Sequence, residues 1–142
     1  MDFISIKNNS ALPLASVPEL DYHTFFEVNT RLMRGDPGRH CATLHGIPEK
    51  ERVRLLCAIA DDATGEIHLS TSVVSRDQVL RSMAGEVPAC ERFEREIHEN
   101  FGISYTGHPW LKQYGIRLTG PTGHRRSPAI LFTAWKAMNF MR

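Results

Sequence analysis

The segment 87–111, VPACERFEREIHENFGISYTGHPWL, constrains the fold of this chain more than any other stretch. Four apolar side chains recur in it at three- and four-residue steps: Cys90, Phe93, Ile97 and Phe101. This spacing is typical of a helix with one buried face. Gly102 follows the last apolar position, where a left-handed C-terminal cap favours glycine. The segment therefore predicts a capped amphipathic helix, and Gly107-His108-Pro109 predicts a second turn beyond it.

Charged side chains surround the apolar stripe of this helix. The pairs four residues apart, Glu91–Arg95, Arg92–Glu96 and Arg95–Glu99, are close enough to interact across turns of an exposed face. Glu94 and Glu96 fall instead on the two edges of the stripe. A carboxylate at such an edge is either half buried with a partner or directed at another surface. A charged helix flank and a docking edge both fit this spacing.

The upstream sequence alternates helix and strand patterns. The predicted elements are a short strand at Phe3–Ile6, a helix begun by a capping box at Ser16–Glu19 and stopped by Gly35–Gly38, strands at Arg39–Ile47, Arg52–Ala60 and Glu66–Val74, and a short helix at Arg76–Ala84. The turn at 61–65 has the length of a hairpin connection. This order favours an α+β two-layer sandwich, with helices packed on one face of a mainly antiparallel or mixed sheet. Residues 1–128 are expected to form a single domain.

Residue faces follow from the same periodicities. The first helix is predicted to bury one side, formed by Tyr22, Phe25, Phe26, Asn29, Leu32 and Met33, and to expose His23, Glu27, Thr30 and Arg31. The third long strand should present Ile67, Leu69, Thr71 and Val73 on one face and His68, Ser70 and Ser72 on the other. The segment 129–142 is rich in apolar and aromatic residues, so it either packs on the domain or covers a partner.

Composition excludes several classes of function. Seventeen basic and sixteen acidic side chains leave a net charge of +1, too small to recruit nucleic acid or an anionic membrane surface. No apolar run has the length of a membrane span. The three cysteines, Cys41, Cys57 and Cys90, form no closely spaced pair in the sequence, which is typical of reduced thiols in the cytoplasm and insufficient for a standard iron–sulfur cluster. No metal-ligand spacing and no cofactor fingerprint occurs.

One enzymatic alternative remains open at this stage. His98 and His108 flank the loop after the helix, and Cys90 lies at the helix start, so a stand-alone cytoplasmic enzyme would gather these three side chains in a cleft. Glu94 and Glu96 diverge around the helix and cannot act on one substrate together. A histidine hydrogen-bonded to backbone and a buried cysteine describe the same residues without any catalysis.

Several motifs of this segment together resemble one family. They are Pro88-Ala89, Glu94-Arg95-Glu96, Glu99, Phe101-Gly102-Ile103 and Gly107-His108-Pro109. Their order is similar to the signature of the thirty-kilodalton subunit of respiratory complex I and of its relatives in energy-converting [NiFe] hydrogenases and formate hydrogenlyases. The resemblance implies a similar α+β fold and a subunit without a cofactor or redox centre of its own.

The resemblance also implies partners and a location. In the family this subunit packs against the hydrogenase-like large subunit and lies close to the small iron–sulfur subunit. It is exposed to the cytoplasm and reaches the membrane only through its partners. The residues implied in partner binding are Glu94, Arg95, Glu96, Glu99, Gly102, Gly107, His108, Pro109 and Trp110. The Glu96-Ile97-His98-Glu99 run favours the hydrogenase branch, while the NADH:quinone branch remains equally defensible.

Overall fold

The computed structural model describes residues 1–111 of the chain. The strands are β1 (Ile4–Lys7), β2 (Glu19–Leu20), β3 (Arg39–Glu49), β4 (Arg52–Asp61), β5 (Glu66–Ser75), β6 (Val79–Arg81) and β7 (Ser104–Thr106). The helices are α1 (Tyr22–Gly35) and α2 (Glu91–Phe101), with single 3-10 turns at Leu14–Ser16, Met83–Gly85 and Pro88–Cys90. The predictions for the segments 112–128 and 129–142 lie outside the described residues.

The main sheet is built from the three long strands that the sequence predicts. Its order is β1-β5-β4-β3 with antiparallel pairing throughout, and β2 adds a short parallel pairing to β5. The β4–β5 turn contains Gly65 at a φ of 67°, a conformation that glycine adopts without steric cost. Helices α1 and α2 pack on one face of the sheet, so the predicted α+β two-layer sandwich is confirmed.

A single apolar core lies between the sheet and the two helices. Its buried members include Phe25, Phe26, Met33, Leu44, Val53, Leu55, Ile59, Val74, Leu80, Met83, Ile97 and Ile103. The residues of β4 that point into this core alternate with residues on the outer face, as a strand requires. Helix α2 contributes Ile97 and the flanking aromatic rings of Phe93 and Phe101, which confirms the predicted apolar stripe.

The start of α1 differs from the prediction. Ser16 ends a 3-10 turn rather than capping a helix, and Glu19 lies in β2, where its carboxylate is 2.9 Å from the Arg54 guanidinium. The N-cap is Asp21, whose Oδ2 accepts the Thr24 N–H at 2.8 Å. Thr30, predicted to be exposed, is buried. Its hydroxyl donates to the Phe26 carbonyl at 2.7 Å. The satisfied hydroxyl removes the cost of burying it.

One further prediction is wrong: the segment 76–84 forms strand β6 and part of a 3-10 turn instead of a helix. The alternation of β5 left open which of its faces is buried. The polar face points into the protein: Ser70 is fully buried and exchanges hydrogen bonds with Asn29 of α1 at 3.0 and 3.2 Å. A strand that packs against a polar position on a helix can bury hydroxyls, which a hydrophobicity pattern alone does not reveal.

Gly46 on β3 lies against the last turn of α2. A Cβ atom at this position would lie 2.5 Å from Cε2 of Phe101 and 3.0 Å from Cγ1 of Val53. Real Cβ atoms do not sit at 2.5 Å from a ring carbon, so any side chain here must displace the Phe101 ring. The absence of a side chain at residue 46 therefore sets the distance between the sheet and the last turn of α2.

The Gly46→Ala substitution is expected to destabilise the chain by about 1–2 kcal/mol, because the added methyl overpacks this contact. The free energy of unfolding measured by urea denaturation tests this. Gly35→Ala is the matched control: nothing lies within 4 Å of the added methyl, and alanine is the better helix former. A Gly46→Ala chain as stable as the Gly35→Ala chain would contradict the proposed close contact.

Candidate functional site

Glu94 is a fully buried carboxylate on α2 that receives three hydrogen bonds. The Ser82 hydroxyl donates to its Oε2 at 2.5 Å, the Met83 N–H donates to its Oε1 at 2.6 Å, and the Ala84 N–H lies 3.4 Å from Oε2. The two backbone donors belong to the first turn of the 3-10 helix after β6, which has no internal partners for them. We call these four residues the Glu94 clamp, because they fasten α2 to the chain that precedes it.

His108 fastens the chain that follows α2. Its side chain is 1% exposed, its Nδ1 accepts the Trp110 backbone N–H at 3.0 Å, and its Nε2 lies 3.1 Å from the Glu91 carbonyl oxygen. Because Nδ1 accepts a hydrogen bond, the pattern assigns the proton to Nε2, which donates to the carbonyl. The same Nε2 is 3.9 Å from Oε2 of Glu94. Glu94 and His108 thus lie side by side, and they hold the chain that precedes α2 and the chain that follows it, respectively.

Burial controls the protonation of this region. Removal from water raises the pKa of Glu94 to about 7, against the opposing effect of its three hydrogen-bond donors. Burial also raises the pKa of Tyr105 well above its ordinary value, and the nearby Glu94 carboxylate adds to the shift. Desolvation disfavours the charged form of an acid, which explains both directions. Glu94 can therefore hold or release a proton near neutral pH although its side chain is buried.

Arg95, which follows Glu94 on α2, is more buried than the sequence indicates. Its side chain is 9% exposed, its Nη1 is 3.5 Å from Oε1 of Glu91, and its guanidinium carbon is 4.9 Å from the centre of the Trp110 ring. The predicted Glu91–Arg95 ion pair is present, but Arg95 is not exposed because the loop after β7 brings the indole over it. A guanidinium stacked on an indole gains both cation–π attraction and packing.

The remaining residues of the predicted interface are more accessible. Gly102 adopts the left-handed conformation at a φ of 74° and its N–H bonds the His98 carbonyl at 2.9 Å, which confirms the predicted cap. Gly107, at a φ of 75°, provides the second turn. Glu96, Gly102, Gly107, Pro109 and Trp110 are exposed, Glu99 is half-buried, and Trp110 exposes 52% of its surface. We call Pro109 and Trp110, with Arg95 beneath the indole, the exit surface.

The structure separates the nine predicted partner-binding residues by burial. The side chains of Glu94, Arg95 and His108 are buried and Glu99 is half-buried. The exposed residues are Glu96, Gly102, Gly107, Pro109 and Trp110. The clamp partners of Glu94 were missed by sequence reasoning, since two of them are backbone N–H groups. No side-chain pattern marks such donors. Binding of a partner by any of the nine residues stays a prediction.

The three residues of the enzymatic alternative are engaged in local contacts. Nδ1 of His98 lies 2.6 Å from the Ile103 carbonyl oxygen, His108 bonds backbone through both ring nitrogens, and Cys90 is fully buried. A cavity of about 540 Å³ is instead lined by the segment 14–19 together with Glu49 and Arg54. Within residues 1–111, no group of histidine, cysteine and carboxylate side chains has the arrangement of a metal site.

Neither helix of the described part of the chain combines the length and apolarity needed to cross a bilayer.

Comparison with known proteins agrees with the resemblance of the signature segment. Residues 19–128 match the family described as "Respiratory-chain NADH dehydrogenase, 30 Kd subunit", which is more than half of the chain. The chain is also similar to an NADH-quinone oxidoreductase subunit from Dinoroseobacter shibae, at 40% identity over 48 residues. That match covers 31% of this chain and 22% of the relative, so the matched part spans less than a quarter of the relative's length. The chain belongs to the family of the 30 kDa subunit of respiratory-chain NADH dehydrogenase.

Proposed function

We propose that this chain is a cofactor-free accessory subunit of an NADH:quinone oxidoreductase, and that it docks on partner subunits through the exit surface. Family membership supports a subunit of a multisubunit respiratory complex. The observation that carries the docking role is the arrangement around Trp110: a half-exposed indole stacked on a buried Arg95 and fixed by the backbone bond to His108.

A fixed, exposed tryptophan fits a binding role better than a structural one. Large aromatic side chains and arginines dominate the binding energy of protein interfaces, particularly when their conformations are set before binding. The Trp110 backbone N–H donates to the His108 ring, which is itself held by the Glu91 carbonyl. The indole itself is stacked on Arg95, so ordering it on binding costs little conformational entropy. The Glu91 carbonyl and the His108 ring hold the backbone at Trp110, and the exit surface would make the contact with a partner.

The partners are proposed by analogy with the family. The hydrogenase-like large subunit and the small iron–sulfur subunit are the neighbours that the exit surface and Glu96 would contact. The chain would then lie at the cytoplasmic face and reach the membrane only through those neighbours. The hydrogenase and formate hydrogenlyase branch is the alternative assembly, since both matches name the NADH dehydrogenase side of the family.

Replacement of Trp110 by alanine is expected to weaken assembly by a factor of about 30, the effect of losing about 2 kcal/mol at an interface hot spot. The free energy of unfolding should change by less than about 1 kcal/mol, because the indole is half exposed. The measurement is the amount of partner subunits recovered with the tagged chain from native membranes, with urea denaturation of the purified variant alongside.

Leu14→Ala is the matched control, because Leu14 is 41% exposed and lies in the 3-10 turn at Leu14–Ser16, outside the predicted interface. Equal partner recovery by the Trp110→Ala and Leu14→Ala chains would contradict the exit surface as the contact. Recovery of a [NiFe]-hydrogenase-like large subunit would assign the chain to the other branch. A tagged wild-type chain that recovers no partner would favour the enzymatic alternative with His98, His108 and Cys90.

A further inference from the structure

The fold brings together three cysteines that are far apart in the sequence. Cys41 lies on β3, Cys57 on β4, and Cys90 ends the 3-10 turn that leads into α2. Cys57 and Cys90 are fully buried members of the core, and Cys41 is a half-buried residue packed against it. All three side chains therefore pack in the same apolar core. We call these residues the thiol cluster.

Strand pairing explains why Cys41 is in this position. The register of β3 against β4 is irregular between Cys41 and Thr43, and such bulges redirect side chains. Cys41 pairs with Ile59, and the core position two residues before Ile59 on β4 is Cys57. Cys90 reaches the same place from the helix layer, where the turn preceding α2 contacts β3. The cluster is therefore a tertiary feature of the sheet–helix boundary.

The three thiols are chemically unequal. Cys41 is the one of the three with access to solvent, and interaction with the neighbouring Cys57 and Cys90 thiols lowers its pKa. The neighbouring Cys41 sulfur, together with burial, raises the pKa of Cys57 and that of Cys90. The thiolate is the reactive form of cysteine. Cys41 thus has the access that an attacking sulfur needs, and its lowered pKa favours the reactive thiolate, whereas Cys57 and Cys90 are buried.

We propose that the thiol cluster is a peroxide-sensitive modification site, in which Cys41 is oxidised first and then forms an intrachain disulfide with Cys57 or Cys90. In the first step the Cys41 thiolate attacks one oxygen of hydrogen peroxide, the O–O bond breaks, and hydroxide leaves, so that Cys41 becomes a sulfenic acid. In the second step a neighbouring thiol attacks the Cys41 sulfur, the S–O bond breaks, and water leaves. Two thiols lose two electrons, and one peroxide is reduced to two waters.

The position of Cys90 gives this oxidation a structural consequence. Cys90 immediately precedes α2, which carries Glu94 one turn further on. A disulfide from Cys41 to Cys90 would join β3 covalently to the start of the signature helix. A disulfide from Cys41 to Cys57 would stay within the sheet. The identity of the second cysteine therefore decides whether the oxidation reaches α2.

The first test measures thiol reactivity in the purified full-length chain. Under native conditions N-ethylmaleimide is expected to modify Cys41 at least about ten-fold faster than Cys57 and Cys90, since reactivity follows thiolate content and access. The three cysteines lie on separate tryptic peptides, 40–50, 55–76 and 82–92, so each rate is read by mass spectrometry. Equal rates for all three thiols would overturn the proposal.

The second test treats the chain with an equimolar amount of hydrogen peroxide, blocks the remaining thiols and maps the peptides. A cross-link of peptide 40–50 to either of the other two peptides supports the proposal. The Cys41→Ser chain should form no disulfide, and the Cys57→Ala chain should still join Cys41 to Cys90. Three thiols left free, Cys41 oxidised without a cross-link, or a disulfide that persists in the Cys41→Ser chain would each overturn it.

Discussion

Replacing Glu94 by alanine is expected to lower the free energy of unfolding by about 3–5 kcal/mol, the largest effect of any single substitution considered for this chain. The carboxylate accepts the Met83 N–H and the Ser82 hydroxyl, both of them buried, while the Ala84 N–H is shared between Oε2 of Glu94 at 3.4 Å and the Ser82 oxygen at 3.1 Å. Each buried donor left without an acceptor costs about 1–3 kcal/mol. Urea denaturation at neutral pH measures the loss.

Glu96→Ala is the control for this experiment. Glu96 lies on the same helix and differs by being exposed, so its loss should change the free energy of unfolding by no more than about 0.5 kcal/mol. If the Glu94 side chain made no buried hydrogen bonds, its loss would change the free energy of unfolding by a similarly small amount. A Glu94→Ala chain within about 1 kcal/mol of the Glu96→Ala chain would therefore contradict the Glu94 clamp.

The second large effect is a loss of stability with rising pH. The pKa of Glu94 is about 7 in the folded chain and close to 4.5 in the unfolded chain. Between these two values the folded state holds a proton that the unfolded state has released. Stability therefore falls as the pH rises through this window, by a total on the order of 3 kcal/mol, and the loss is complete above the folded pKa.

The contribution of Glu94 is isolated by comparison with Glu94→Gln, which is close in shape and does not titrate. Burial lowers the pKa of His45, which acts in the opposite direction by making stability rise with pH, and both chains share that effect. The difference in unfolding free energy between wild type and Glu94→Gln should therefore become less favourable to wild type as the pH rises from about 4.5 to about 7. A difference that is constant with pH would show that Glu94 stays ionised throughout. Carbon-13 NMR titration of the Glu94 carboxyl provides an independent measurement.

Local patterns predicted the parts of the fold that local interactions determine. The three long strands, the hairpin turn ending at Gly65 and the cap at Gly102 follow from alternation and from glycine conformations, which the sequence displays directly. The capping box at Ser16–Glu19 failed because Asp21 offers an equally good cap a few residues later. Two tertiary interactions keep Glu19 out of the helix, its ion pair with Arg54 and the pairing of β2 with β5.

The sequence indicated several residues of the candidate site, but it did not indicate the contacts that these residues make with one another. Periodicity placed Glu94 at an edge of the apolar stripe, and the partners that bury it come from a turn that was predicted as helix. Arg95 carries the spacing of an exposed ion pair, and only the course of the loop after β7 covers it with Trp110. The clustering of Cys41, Cys57 and Cys90 in one core likewise depends on the irregularity in β3 and on the packing of the turn before α2 against that strand. Each of these features joins elements that are distant in the sequence.

The pairing of β6 with β7 determines when this region can form during folding. The two strands are parallel, three residues long, and joined in register from Val79–Ser104 to Arg81–Thr106. A pair this short is not stable by itself, and parallel pairing requires the connecting helix to cross over first. The hairpins of the main sheet join close neighbours in the sequence and can form early. We therefore expect helix α2, the Glu94 clamp and the β6–β7 pair to form late and together, so that the exit surface exists only once folding is complete.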